Sequence, residues 1–371
     1  MKILMIGDFS NFHGCLGAEL RRRGHDVTLV SDGGRYMQTG SDILLARRPG
    51  VFGSLRYLAE VCRAMRSWKG YDVVQIMSPL FLNLRPTLIR RVFDRLRRHN
   101  RRVCLTFASL DACMVRILTE GEMFRYSEFR VGKAPAPLAL AEPETERAWT
   151  TPLMLDHCRH VLGACDMVMT ALYEYHRVAS ESVPEKSVYA GIPVDFSALP
   201  PCASGEAVES GRPVSIFIGR KGDYALYKGT DILLEAAREV ERTMPGKCSV
   251  TLAENLPLAE YLRRLGEADI VLDQIYSYTP ATNALQAMAM GKVAVTGAEP
   301  EYYNFIGENN LHPAVNVLPD RESIVATLRH LVEDGRERRR LRSEGPEFVR
   351  KHNDVRVVAD RFEQAWRAAG A

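Results

Sequence analysis

The stretch Ala268–Gly291, ADIVLDQIYSYTPATNALQAMAMG, holds a strand, a polar loop and a helix in immediate succession. Ile270, Val271 and Leu272 form an unbroken apolar run, the pattern of a strand covered on both faces. Thr279 is expected to cap the helix that follows, with Pro280 at the first helical position, where its missing N–H costs nothing. A helix that opens just past the C-terminal end of a parallel strand aims unpaired N–H groups and a positive dipole end into the adjoining crevice. Such a crevice suits an anion.

Upstream, Phe217-Ile218-Gly219-Arg220-Lys221-Gly222-Asp223 reads as a strand running into a basic loop. After Tyr227-Lys228-Gly229 a helix opens near Thr230, with Ile232, Leu233, Ala236, Ala237 and Val240 spaced to bury one face. Arg220, Lys221 and Lys228 therefore fall at the C-terminal edge of a sheet, where open α/β folds hold ligands. Cations beside a helix N-terminus suit a diphosphate. A solvated basic loop is the plain alternative.

The first half alternates short apolar runs with helix-length segments: Ile3–Ile6, Val27–Val30, Asp72–Met77, Val103–Phe107, Met167–Thr170 and Val188–Ala190. That rhythm predicts a doubly wound parallel sheet. Residues 197–212 carry the Pro, Ser, Gly and Glu of a linker. The predicted layout is a first domain over 1–196, the linker over 197–212, a second domain over 213–350 and a C-terminal helix over 351–371 packing toward the first domain. Residues 115–150 interrupt the rhythm. They read either as a functional insertion or as a surface excursion packed by Phe124, Tyr126, Phe129 and Trp149.

The 371 residues exceed one ordinary core, and 46% hydrophobic with 26% charged residues is the balance of a globular protein. A formal charge of +3 does not call for nucleic acid. No apolar run approaches the roughly 20 residues of a membrane span. The first residues read as a strand, so a cytoplasmic protein is expected. Eight scattered cysteines with no Cys-x-x-Cys suit buried thiols in a reducing compartment. His157, Cys158, His160 and Cys165 lack the loop-type spacing of a metal site. Eight arginines between Arg85 and Arg102 face one acid, Asp94. They read either as a solvated helix face or as attraction to an anionic membrane leaflet, worth roughly 1 kcal/mol per residue near the surface. The second reading puts the protein at the inner face of the cell membrane.

Taken in order, these motifs resemble glycosyltransferases of the GT-B fold, in particular the retaining family 4. The resemblance is carried by Gly219-Arg220, Lys228-Gly229, Leu233-Leu234-Glu235-Ala236, Ala268-Asp269 and the run Gln286–Val293. Weaker matches are Arg23–Val27, Tyr71–Val74, Cys165–Val168 and Gly191–Asp195. The resemblance implies an α/β protein of two Rossmann-like parallel-sheet domains facing across a cleft. It implies sugar transfer from a nucleotide-sugar donor to a glycan or lipid-linked acceptor in cell-surface polysaccharide assembly, with anomeric configuration retained.

The chain also departs from the family. Tyr278 and Gln286 stand where two glutamates are usual, and Tyr-Thr-Pro-Ala replaces the glycine-rich turn. The first domain shows Ala108-Ser109-Leu110-Asp111 where the family has His-Gly-x-Asp. The expected donor-binding set is Gly219, Arg220, Lys221, Lys228, Tyr278, Thr279, Thr282, Asn283 and Gln286. Arg220 and Lys228 would stabilise the departing diphosphate, an electrostatic task for preorganised donors. With no Asp-x-Asp in the chain no metal clamp is expected, and no cofactor, because the nucleotide-sugar is a co-substrate. Asn11, His13, Gly14 and Asp111 are expected to face the acceptor, with His13 either a general base or a positioning residue. A non-catalytic nucleotide-sugar binder and a sugar-nucleotide epimerase remain alternatives. A nicotinamide-binding domain is disfavoured, because Gly7, Gly14 and Gly17 do not form Gly-x-Gly-x-x-Gly even though Asp32 follows the second strand.

Overall fold

The structure, a computed structural model, describes residues 1–34, 38–200, 211–220 and 224–371. It divides into two compact units. One comprises Met1–Ile117, Glu144–Pro193 and Val355–Ala371; the other comprises Leu118–Pro143 and Val194–Asp354.

The first unit is built on strands β1 (Lys2–Ile6), β2 (Asp26–Ser31), β3 (Ile43–Leu44), β4 (Val73–Ile76) and β5 (Arg102–Phe107). A small antiparallel hairpin, β6 (Arg130–Val131) and β7 (Ala134–Pro135), lies in the interrupting segment. Strands β8 (Val168–Thr170) and β9 (Ser187–Tyr189) complete the sheet. The seven sheet strands run parallel in the order β3-β2-β1-β4-β5-β8-β9. Ile3, Leu4, Met5 and Ile6 in β1 are all fully buried, as a central strand covered on both faces requires. The helix Phe12–Arg22 closes with Arg21, Arg22 and Arg23 and stops at Gly24, whose φ of +85° is one that side chains avoid.

The helix Val355–Ala368 belongs to this first unit. Its Phe362 ring meets Phe12 edge-on at 6.2 Å, and the Trp366 indole donates to Gln75 Oε1 at 2.9 Å.

The second unit carries strands β10 (Val214–Arg220), β11 (Cys248–Glu254), β12 (Ile270–Leu272), β13 (Val293–Thr296) and β14 (Ala314–Asn316). They too run parallel, in the order β11-β10-β12-β13-β14. Asp269 fixes the start of β12. It accepts both Arg212 guanidinium nitrogens at 2.8 and 2.9 Å and the Ser215 N–H at 2.9 Å. This buried acid, part of the Ala268-Asp269 motif, thus ties the far end of the linker to the sheet. Linker residues 201–210 lie outside the described residues.

The second unit takes in more of the chain than the expected 213–350, running from Val194 to Asp354. Residues 118–143 join the second unit, not the first. Ala136 is buried in the second unit's apolar core with Val131 packed against it, so the core contacts of this segment, not its place along the chain, set its membership.

Candidate functional site

The second sheet has the order 2-1-3-4-5 when its strands are counted from β10. The chain turns one way to reach β11 and the other way to reach β12. The topological switch point, where doubly wound sheets take ligands, is therefore at the C-terminal ends of β10 and β12. Gly219 and Arg220 end β10, and Asp273 is the first residue past β12.

A connected polar cluster occupies this position. Lys228 Nζ donates to Asp273 Oδ1 at 3.0 Å. Asn283 Nδ2 reaches the same oxygen at 3.4 Å, while Asn283 Oδ1 accepts the Tyr261 hydroxyl at 2.5 Å. Tyr261 lies over the end of β10, and a Cβ at Gly219 would overlap its hydroxyl. Asp273 is 1% exposed, and its Oδ2 has no partner among the described residues. The Lys228 side chain is 40% exposed, so the ammonium has two donors beyond the one given to Asp273.

Local geometry holds this cluster in place. Gly229 has a φ of +66°, and a Cβ there would run into the Ile275 side chain. The Ile275 N–H donates to Lys228 O at 3.0 Å, so the loop carrying Lys228 is hydrogen-bonded to the segment leaving β12. Asn283 sits in the first turn of the helix Thr282–Ala289, beside N–H groups that have no intrahelical acceptor. Thr282 and the half-buried Gln286 share this helix, and Gln286 lies one turn on from Asn283.

Several sequence expectations change. The helix begins at Thr282 with Ala281 as its cap, not at Pro280 with Thr279 as its cap. The Thr279 backbone is instead bonded at both its N–H and its carbonyl to the Ser277 hydroxyl. Thr279 is buried in that turn. Tyr278 does not line the switch point either. It is buried, stacked on Tyr126 at 4.8 Å and met edge-on by Phe124, and its hydroxyl accepts the Arg125 N–H at 2.7 Å. Burial raises its pKa. Tyr278 is the seat of the 118–143 segment.

Arg220 does not meet Lys228. Its guanidinium is drawn to Glu254 at 2.8 Å, its register partner on β11, which lies on the opposite side of β10 from β12. The pair is partly exposed, so it holds Arg220 only weakly. Lys221 lies outside the described residues.

In the first unit, His13 is neither on a loop nor exposed. It belongs to the helix Phe12–Arg22 and is fully buried. Nδ1 meets the Gly7 carbonyl at 2.7 Å, so it carries the proton, and Nε2 accepts the Thr106 hydroxyl at 2.9 Å. Thr106 Oγ1 in turn accepts from Gln75. Burial lowers the His13 pKa to about 4. With both nitrogens committed, His13 has none to offer an acceptor hydroxyl, so of its two expected roles the geometry fits positioning rather than a base. The N–H groups of His13 and Gly14 are held by Asp8 at 2.9 and 3.3 Å, and burial raises the Asp8 pKa to about 6. Asn11, at a φ of +61°, is the residue just before the helix. Asp111 is buried, accepts the Met114 N–H at 2.8 Å at the start of the helix Ala112–Glu120, and has its pKa raised by burial to about 7.

The structure also brings together polar residues that the sequence reading did not name. Asp273 and Tyr261 complete the switch-point cluster. Glu299, beyond the end of β13, accepts the Tyr126 hydroxyl at 2.6 Å and the Arg125 guanidinium at 2.7 Å, and Arg125 also pairs with Glu301.

Sucrose-phosphate synthase from Thermosynechococcus elongatus superposes with a TM-score of 0.64 at 14% identity, over 99% of this chain and 98% of its own. Anabaena Alr3699/HepE in complex with UDP-glucose gives 0.63 at 12% identity, over 99% and 100%. The catalytic domain of starch synthase IV from Arabidopsis thaliana, bound to ADP and acarbose, gives 0.55 at 11% identity, over 100% and 99%. The fold is GT-B. No protein-family model matches the chain, and no curated protein matches it in sequence. Within the GT-B fold the switch-point cluster is in the second sheet, and the buried His13 and Asp8 belong to the first.

Proposed function

We propose that the protein is a glycosyltransferase, moving a sugar from a nucleotide-sugar to a hydroxyl of a glycan or lipid-linked acceptor in cell-surface polysaccharide assembly. The observation that carries this reading is the cluster of Lys228, Asp273, Asn283 and Tyr261 at the switch point of the second sheet, beside the first turn of the helix Thr282–Ala289. Support for the donor class comes from the GT-B fold and from UDP-glucose and ADP in the related structures.

In this reading the diphosphate lies against Lys228 and the N–H groups opening the Thr282–Ala289 helix. Asp273 holds Lys228 and Asn283 in position. As the sugar–phosphate bond breaks, charge accumulates on the leaving diphosphate, where these fixed donors stabilise it more than they do the intact donor. Arg220 joins by exchanging Glu254 for a phosphate oxygen. The reaction proceeds with retention, without a metal clamp and without a cofactor. Asp111 is the acceptor-side candidate, because burial keeps its carboxyl partly protonated near neutral pH.

Isothermal titration with UDP, GDP, dTDP, ADP and CMP, followed by turnover with the sugar-nucleotide of the base that binds, tests the proposal. One nucleoside diphosphate should bind and its sugar-nucleotide should be consumed with transfer to an added glycan or lipid acceptor. Binding by none of them overturns the donor site. Epimerisation of the donor, or binding without turnover, overturns the transferase.

A further inference from the structure

The helix Gly50–Ala64 buries only Tyr57 and Val61 among its fifteen residues. Leu58 and Ala64 are half-buried, and the other apolar side chains are turned out. Phe52 is 89% exposed, Val51 74% and Leu55 59%, and Ala59 and Cys62 are exposed as well. Phe52, Leu55, Ala59 and Cys62 recur at spacings of three, four and three, so they form one stripe along the helix, on the side away from Tyr57 and Val61. A contiguous apolar stripe in water is unfavourable unless something covers it.

The surrounding charge is one-sided. Between Arg47 and Lys69 there are six basic residues, Arg47, Arg48, Arg56, Arg63, Arg66 and Lys69, against the single acid Glu60. All six are exposed. Arg47 donates to Asn83 Oδ1 at 3.0 Å and to Ser54 at 2.8 Å, and the Tyr57 hydroxyl accepts the Asn83 N–H at 3.1 Å. These bonds set this helix beside the segment that leads into the helix Pro86–His99, whose Arg91, Arg95, Arg97 and Arg98 are exposed while Ile89, Val92, Phe93 and Leu96 are buried.

We infer that the Gly50–Ala64 helix is a membrane-docking element that lies in the plane of an anionic bilayer, inserting Phe52, Val51 and Leu55 between headgroups while the arginines contact lipid phosphates. An exposed apolar stripe flanked by arginines is what an interfacial helix needs. A second copy of this chain is a poorer occupant, since pairing the face with itself would bring its arginines together. The arginine-rich Pro86–His99 helix adds long-range attraction, but with its apolar residues buried it has nothing to insert. This inference is independent of the nucleotide site, and its test contains no nucleotide.

The full chain is sedimented with vesicles of phosphatidylglycerol and phosphatidylcholine, and with phosphatidylcholine alone, at low and high salt. Binding is expected only to the anionic vesicles, weakening as salt rises. Phe52→Ser with Leu55→Ser should weaken it about tenfold or more. Neither side chain is part of the core, so the variant should melt like the parent. Tryptophan emission of Phe52→Trp should move to shorter wavelength on the vesicles. Three results overturn the inference. One is no retention by anionic vesicles. Another is equal retention of parent and double-serine variant, which would leave only the arginine attraction. The third is a concentration-dependent dimer in sedimentation that the double-serine variant abolishes.

Discussion

Lys228→Met separates the structural and the ligand-binding roles of the switch-point cluster. Methionine keeps most of the side-chain volume and removes the ammonium. Asp273, 1% exposed, then keeps only Asn283, at 3.4 Å, on Oδ1 and has no partner among the described residues on Oδ2. Breaking a fully buried pair costs about 3–5 kcal/mol. The Lys228 side chain is 40% exposed and therefore screened, so a loss of about 1–3 kcal/mol is the better expectation here. In a unit of this size that is a fall in Tm of about 2–12 °C. Adding Asp273→Asn removes the stranded charge and should recover most of the stability. Nucleoside diphosphate binding should not recover, because the phosphate-facing cation is still missing. Losing a charge contact of this kind costs about 2–5 kcal/mol of affinity, a factor of roughly 30 or more. Calorimetric melting and isothermal titration on parent, both single variants and the double variant give the full cycle. The reasoning is refuted if the double variant binds diphosphate like the parent, or if Lys228→Met melts at the parental temperature.

Three further outcomes are expected. Arg125→Ala leaves the buried Glu299 with the Tyr126 hydroxyl, so amides of residues 118–143 should exchange faster, the Arg125–Tyr278 hydrogen bond among the first; unchanged exchange in hydrogen–deuterium mass spectrometry counts against the latch. Gly229→Ala must adopt a left-handed φ and push into Ile275, costing about 2–4 kcal/mol in denaturant melts and weakening diphosphate binding through the displaced Lys228; a loss under about 0.5 kcal/mol would mean the loop relaxes freely. Asp111 keeps its proton up to about pH 7 in the fold but only to about pH 4 when unfolded, so its contribution to stability falls as pH rises between those values and is flat above. Asp111→Asn should therefore gain on the parent by up to about 1.4 kcal/mol per pH unit across that window, whereas a pH-independent offset in denaturant midpoints would contradict the assignment.

Sheet architecture was legible because buried parallel strands leave dense apolar runs. Ile3–Ile6, Val103–Phe107 and Ile270–Leu272 could each be read directly. The two-residue β3 and the three-residue β14 left no such run. Lys228 and Asn283 could be placed from sequence at the C-terminal edge of the second sheet, because each follows a strand by one loop and precedes or opens a helix. Asp273 was missed, although an acid immediately after a buried strand necessarily stands on the ligand-bearing edge of the sheet. Tyr278 was misplaced because its partners, Phe124, Arg125 and Tyr126, are some 150 residues away in sequence, and no periodicity reports such a contact. For His13 the residue type suggested chemistry, while the bonds to Gly7 and Thr106 that commit both its nitrogens depend on the packed sheet.

Diphosphate binding at the ends of β10 and β12 is the central claim. Hydrogen–deuterium exchange of the full chain, with and without the nucleoside diphosphate that binds, reads this site directly. Protection is predicted at residues 225–231 and 279–286, and its loss in Lys228→Met. Ligand binding that protects only segments of the first unit, with both of those segments unchanged, would contradict it.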